Sequence, residues 1–169
     1  MNESNQINKK NSKVKTFPVP YSFALDEQKE NITLNINSDA QNTKEQLINK
    51  AFKFHLQGNI SEAAKLYKLF INQGFIDHRV FSNYGVILNS LGKLQDAEFS
   101  CRKAIEVKPD YAVAHYNLGN ILRDLDKLKE AELSLRKAIE LNPLVINAHL
   151  NLGALLIEID KLREAEAST

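Results

Sequence analysis

Ala114-His-Tyr-Asn-Leu-Gly119 recurs 34 residues later as Ala148-His-Leu-Asn-Leu-Gly153, and Asp126-Lys-Leu-Lys-Glu-Ala-Glu132 recurs as Asp160-Lys-Leu-Arg-Glu-Ala-Glu166. A fixed offset of this size is the mark of a repeat array, and missing it misassigns the whole fold. The same offset runs backwards. Asn83-Tyr-Gly85 and Gly92-Lys-Leu-Gln-Asp-Ala-Glu98 fill the same slots, Arg102-Lys-Ala-Ile-Glu106 matches Arg136-Lys-Ala-Ile-Glu140, and Gly58-Asn-Ile-Ser-Glu-Ala-Ala64 stands one step earlier. The units are therefore 44–77, 78–111, 112–145 and a partial fourth, 146–169.

Within a unit, apolar and small residues fall at helical spacing. Leu118, Gly119 and Leu122 mark a first segment, and Leu128, Ala131, Leu135, Ala138 and Ile139 a second. Each unit is predicted to be a pair of amphipathic helices. A permissive backbone is needed in the turn between them, and Gly58, Gly92, Asp126 and Asp160 occupy that slot. Pro109 and Pro143 close two units by removing a helix donor and restricting the residue before them. Asn42 with Glu45, and Asn59 with Glu62, have the spacing of capping boxes. Gly85, Gly119 and Gly153, together with Ala97, Ala131 and Ala165, are expected where the two helices of a unit approach closely.

The first forty residues differ. They are rich in Asn, Lys, Ser and Gln, and Pro18 and Pro20 interrupt them, so 1–41 is expected to be a disordered leader and 42–169 the helical array. Phe17, Tyr21 and Phe23 are the leader's aromatics, and Asn31-Ile-Thr33 fits a glycosylation acceptor that has meaning only in a secreted chain.

Composition narrows the function. The 169 residues carry a net charge of +1, with 22 basic and 21 acidic side chains, which disfavours a nucleic-acid partner because such partners select a clearly basic face. Leu152–Ile157, the longest uncharged apolar stretch, falls far short of the roughly 20 residues a membrane span needs. The start Met1-Asn-Glu-Ser-Asn-Gln-Ile-Asn-Lys-Lys10 has no apolar core after a basic region, so a cytoplasmic location is expected. Cys101 is alone, which leaves no disulfide framework and no thiolate cluster.

These slots resemble the tetratricopeptide-repeat family, in which a bulky residue, Leu-Gly, an apolar residue, Ala, an aromatic or apolar residue, Ala and Pro recur at set positions. The second unit holds Phe81, Tyr84-Gly85, Leu88, Ala97, Cys101, Ala104 and Pro109. The third holds His115, Leu118-Gly119, Leu122, Ala131, Leu135, Ala138 and Pro143. The first unit departs from the pattern, with Lys50-Ala51 for Leu-Gly and Phe75 for Pro. The resemblance implies an all-α, right-handed superhelical solenoid of antiparallel helix pairs. Its first helices would line a concave groove that receives a peptide.

Residues that suggest chemistry have structural readings. His115 and His149 are one slot repeated, not a metal pair in helical register. His55 and His78 have no partner at a motif spacing, and Cys101 occupies a core slot held by Tyr67 and Leu135 in neighbouring units. No catalytic residue, cofactor site or metal site is expected. The row Asn49, Asn83, Asn117 and Asn151, sixth in every unit, is the candidate peptide-binding site. A side-chain amide carries both donor and acceptor and so pairs with a peptide backbone of any sequence. Packed helices lie about 8–10 Å apart and an extended chain rises about 3.3 Å per residue, so one Asn would engage every third ligand residue.

This row resembles the asparagine ladder of O-linked N-acetylglucosamine transferases, which implies a grip on the main chain of substrate polypeptides. The other reading is that the amides bond neighbouring helices, and the two are not exclusive. On the first reading, replacing Asn83, Asn117 and Asn151 leaves stability nearly unchanged. A second family comparison fails. Repeat domains that clamp a chaperone's terminal carboxylate use Lys, Asn, Asn, Lys and Arg in slots that here hold Ile48, Phe52, Asn83, Val113 and Asn117, or one unit later Ser82, Val86, Asn117, Asn147 and Asn151. Without cations a buried carboxylate is not offset.

The chain is thus expected to be a protein-interaction scaffold binding an extended polypeptide. The alternative is the substrate-recruiting arm of a glycosyltransferase or other modifying enzyme. Self-association is a third expectation: the fourth unit would be uncapped, with Leu152, Leu155, Leu156 and Ile159 partly uncovered.

Overall fold

The computed structural model describes residues 38–167, with side chains described from 43 to 164. Most of the expected leader, including Phe17, Tyr21, Phe23 and Asn31, lies outside the described residues. Seven helices follow in order: α1 (Ser38–Leu56), α2 (Ile60–Asn72), α3 (His78–Ser90), α4 (Leu94–Val107), α5 (Ala112–Asp124), α6 (Leu128–Leu141) and α7 (Ile146–Ala167). No strand occurs among the described residues.

The first three units are antiparallel pairs, α1 on α2, α3 on α4 and α5 on α6, and each second helix packs in turn on the next first helix. The first helices also touch one another, α5 meeting both α3 and α7. Second helices approach chiefly through charged side chains: Glu98 on α4 receives Lys127 at 2.8 Å, and Arg102 reaches Glu130 on α6 at 2.9 Å. Closer contact on one side bends the array, so the first helices lie on the inner side of the curve.

The turns explain the spacing. Gly58 and Gly92 take φ of 74° and 73°, and Asp126 takes 61°, in each case as the helix-ending residue in left-handed backbone. At the last of these, Asp126 N–H bonds to the Arg123 carbonyl at 2.9 Å and Lys127 N–H to the Leu122 carbonyl at 2.8 Å, satisfying carbonyls that the helix end leaves open. Gly74, with φ 77°, performs the same closure at the end of α2, where the first unit lacks its proline. At the other unit ends α4 stops at Val107 and α6 at Leu141, just before Pro109 and Pro143.

Three local expectations are corrected. Asn42 lies inside α1, which already begins at Ser38, so it is not that helix's cap. Asn59 is the N-cap of α2 but its side chain makes no capping bond, its ψ of 65° being outside the extended region that favours one. Asp77 supplies a side-chain cap instead, accepting from Arg79 N–H at 2.8 Å and pairing with the same guanidinium at 2.7 Å. The third correction concerns Asp160, which makes no turn. α7 runs straight through it from Ile146 to Ala167. A turn there would force a non-glycine residue into left-handed backbone, which the continuous helix avoids.

Two clusters form the core. Ala63, Tyr67, Phe70, Val80 and Ile87 fill the first, and Cys101, Tyr116, Ile121, Leu122, Leu135 and Leu155 are among those filling the second, with Tyr84 packed against both. The small slots behave as expected in the middle units. A Cβ on Gly119 would lie 2.7 Å from Leu135 Cγ, and one on Gly85 would lie 2.5 Å from Cys101 Sγ. Gly153 meets nothing within 4 Å, because among the described residues no helix follows α7 to fold back onto it.

Candidate functional site

The asparagine row lies on the first helices, and its members differ in what surrounds them. Asn117, on α5, is only 6% exposed and donates from Nδ2 to the hydroxyl of Ser82 on α3 at 3.0 Å. Asn151, on α7, donates to the Tyr116 hydroxyl at 3.2 Å and to Asn120 Oδ1 at 2.7 Å, both on α5. The rule is one repeat plus one residue. The sixth residue of a unit donates to the fifth residue of the unit before it, provided that residue carries a hydroxyl.

Asn83 breaks this rule for a chemical reason. The fifth residue of the first unit is Ile48, buried and without a polar atom on its side chain. The Asn83 amide, half-buried, has no hydrogen-bond partner among the described residues. Asn49, on α1, is exposed. The row therefore combines two amides whose nitrogens are held by the preceding helix with two that stand open. The partner hydroxyls at Ser82 and Tyr116 are the part that sequence reading missed; the signal was present, since both occupy the fifth slot.

A second polar contact, from Asn89 Nδ2 to Asp124 Oδ2 at 2.9 Å, links α3 to α5 further along. Arg79 on α3 is paired with Asp77, and its guanidinium lies 5.6 Å from the Phe52 ring centroid. Burial raises the Asp77 pKa, but bonds and attraction from Arg79 outweigh it and hold the carboxyl below its ordinary value.

The histidines and the cysteine sit where packing explains them. His115 and His149 each bond from Nε2 to the carbonyl of the proline that opens their turn, Pro109 and Pro143, both at 2.9 Å. A carbonyl only accepts, so Nε2 carries the proton in both. His55 Nδ1 lies 3.2 Å from the Tyr67 hydroxyl, and burial lowers its pKa. Cys101 is fully buried and its thiol is pushed up to about 12, which removes the thiolate that nucleophilic chemistry needs. Among the described residues no group of three or more His, Cys, Asp and Glu is placed to hold a metal, and no helix is long and apolar enough to cross a membrane.

Residues 78–111 and 112–143 each match a model of the tetratricopeptide repeat. No curated protein matches the chain. Among solved structures, the first TPR of Spaghetti bound to an HSP90 peptide is similar at 25% identity, over 75% of this chain and 99% of that one, with a TM-score of 0.67. A Thermobaculum terrenum O-GlcNAc transferase mutant is similar at 23% identity and a TM-score of 0.67, over 74% of this chain but only 23% of that one. The Yersinia enterocolitica secretion chaperone SycD, in complex with a peptide of the translocator YopD, is similar at 22% identity over 69% of this chain and 95% of that one, with a TM-score of 0.63.

Proposed function

We propose, from the premise that this chain belongs to the tetratricopeptide-repeat family, that it is a protein-interaction scaffold whose first helices hold an extended polypeptide by its main chain. The observation that carries this reading is the half-buried Asn83 amide, which has no hydrogen-bond partner among the described residues while its counterpart Asn117 is committed to Ser82. Two similar structures carry peptides in their names, one of HSP90 and one of a translocator, which supports a peptide as the ligand class. The chaperone tail itself is not the ligand proposed. The slots that would neutralise its carboxylate hold Ile48, Phe52, Asn83, Val113 and Asn117, none of them a cation.

No catalytic step is assigned to these residues. The alternative role, a substrate-recruiting arm, draws support from the amide row and from the likeness to the transferase, and a catalytic domain in the same reading frame would decide for it. Both roles keep the expected cytoplasmic location and the groove as the working surface. Self-association through the fourth unit belongs to the same proposal but on a different face from the expected one, since Leu155 is buried and Leu152 and Ile159 pack on the core, whereas Ile146, Leu150 and Ile157 of α7 are exposed.

The test is selection of binding peptides from a random-sequence library, followed by calorimetry on the chain and on Asn83→Ala. Main-chain recognition predicts that the selected peptides share little sequence and that Asn83→Ala weakens all of them to a similar degree. Peptides that bind Asn83→Ala as well as the parent chain would refute the assignment of the groove.

A further inference from the structure

On α7, Ile146, Leu150, Gly153, Ala154 and Ile157 lie along one stripe of the helix, at the successive spacings four, three, one and three. The three large members are 71%, 64% and 59% exposed, and a Cβ on Gly153 would meet nothing within 4 Å. The corresponding face of α5 is covered: Tyr116 and Asn120, in the slots of Leu150 and Ala154, are buried and bonded to Asn151 of α7. The stripe is thus a stacking face of the solenoid with no partner among the described residues.

We infer that this stripe is a two-fold interface, at which a second copy of the chain packs its own α7 antiparallel across Gly153 and Ala154. This rests on the self-association part of the proposed function and is independent of peptide binding in the groove. Two features select a second copy as the occupant. The spacing is self-complementary: about a centre between Gly153 and Ala154, Leu150 falls opposite the partner's Ile157, and Ile146 opposite the aliphatic stem of the partner's Lys161. The two smallest residues stand at the centre, where side-chain size sets how closely the axes approach.

Charge is the second feature. Seen down α7, His149 and Asp160 flank the stripe on one side and Asn147 and Glu158 on the other. Antiparallel apposition sets His149 beside the partner's Asp160, and Glu158 beside the partner's Asn147, with no two acids facing each other. A parallel pair would set Asp160 beside the partner's Glu158, two acids facing each other. An isologous contact of this kind uses one patch twice and closes at two copies.

The test uses the whole chain. Sedimentation at micromolar concentration is expected to give a dimer, and Leu150→Lys a monomer of unchanged helicity. Orientation is read by disulfide trapping, for which the buried Cys101 provides a silent background. In the antiparallel pair Ala154→Cys lies within about one residue's rise of its copy, whereas Ile146→Cys is about 22 Å from its own along the axis at 1.5 Å per residue. Trapping at 154 and not at 146 supports the interface. A monomeric parent chain, a dimer indifferent to Leu150→Lys, or trapping at 146 would overturn it. Peptide affinity retained by the Leu150→Lys monomer separates this outcome from the fate of the groove.

Discussion

The Asn117 side chain donates to the Ser82 hydroxyl at 3.0 Å, tying α5 to α3 across one repeat and one residue. The bond uses the amide nitrogen and leaves the Asn117 carbonyl without a partner among the described residues. The donor of this side chain serves the stack, which is the structural reading of the row; the proposed main-chain grip would have only the acceptor left to use at this position. Asn151 follows the pattern through Tyr116, and Asn83 cannot, because Ile48 has nothing to accept with.

Stability and binding should therefore separate along the row. Asn117→Ala removes a buried hydrogen bond, and such a loss costs about 0.5–1.5 kcal/mol. Asn83→Ala removes none and should melt with the parent chain while losing peptide affinity. Thermal unfolding of the two variants checks this, and equal melting temperatures would mean that the Ser82 bond contributes nothing. The uniform tolerance expected from sequence is in this way replaced by a gradient.

Glycines in one slot should respond with opposite signs. Gly119→Leu places atoms where Leu135 Cγ lies 2.7 Å and the Ala131 carbonyl 3.3 Å from an ideal Cβ, and overpacking of this kind costs about 1–3 kcal/mol or more. Gly153→Ala meets nothing within 4 Å inside its own chain, and in the monomeric Leu150→Lys background replacing this helical glycine contributes about 0.5–1 kcal/mol of stability. Denaturant melts read both values. Hydrogen exchange should locate the Gly119→Leu damage in α3 to α7, since each unit leans on its neighbours.

Acid should loosen the chain from its first units. Burial lowers the pKa of His55, and burial is also the largest cause for His78, where Lys108 and Arg79 add to it against Asp77 and Asp110. The folded pKa lies below the unfolded one, so the unfolded state binds more protons in that window and stability falls as pH drops below the ordinary histidine value of about 6.5. His55→Gln should flatten the dependence of melting temperature on pH over this range. A slope unchanged by the substitution would place its source elsewhere.

Much of this was legible because a repeat states its own register. The offset of 34 put a permissive turn residue at Gly58, Gly92 and Asp126, and all three took the left-handed backbone their slot predicts. Gly74 was harder to read: it closes α2 at a place where the family pattern puts proline, so the departure hid the substitute. The hydroxyl partners of the amides were passed over for another reason. They belong to the preceding unit, and periodicity compares like slots with like, never the fifth with the sixth. α7 shows the limit of local sequence, since Asp126-Lys-Leu-Lys-Glu-Ala-Glu132 and Asp160-Lys-Leu-Arg-Glu-Ala-Glu166 differ at one position and take different shapes.

That pair of segments gives the sharpest prediction, because one substitution should act oppositely at the two sites. Asp126 holds φ at 61°, a region that costs an L-residue roughly 1–2 kcal/mol even though Asp tolerates it better than most. Asp126→Gly relieves that strain, and the turn keeps its two backbone bonds through Asp126 N–H and Lys127 N–H. The variant should be more stable by up to about 1 kcal/mol, with unchanged helicity. Asp160 sits within the continuous α7, paired with Arg163 at 3.6 Å. Asp160→Gly puts the most flexible residue into a helix interior and removes that exposed pair, so the last turns should fray and ellipticity should fall. Circular dichroism with thermal melts on both variants decides the matter. If Asp160→Gly were instead to stabilise the chain as Asp126→Gly does, the fourth unit would turn at Asp160 like the third, and the segment after it would lie against Gly153.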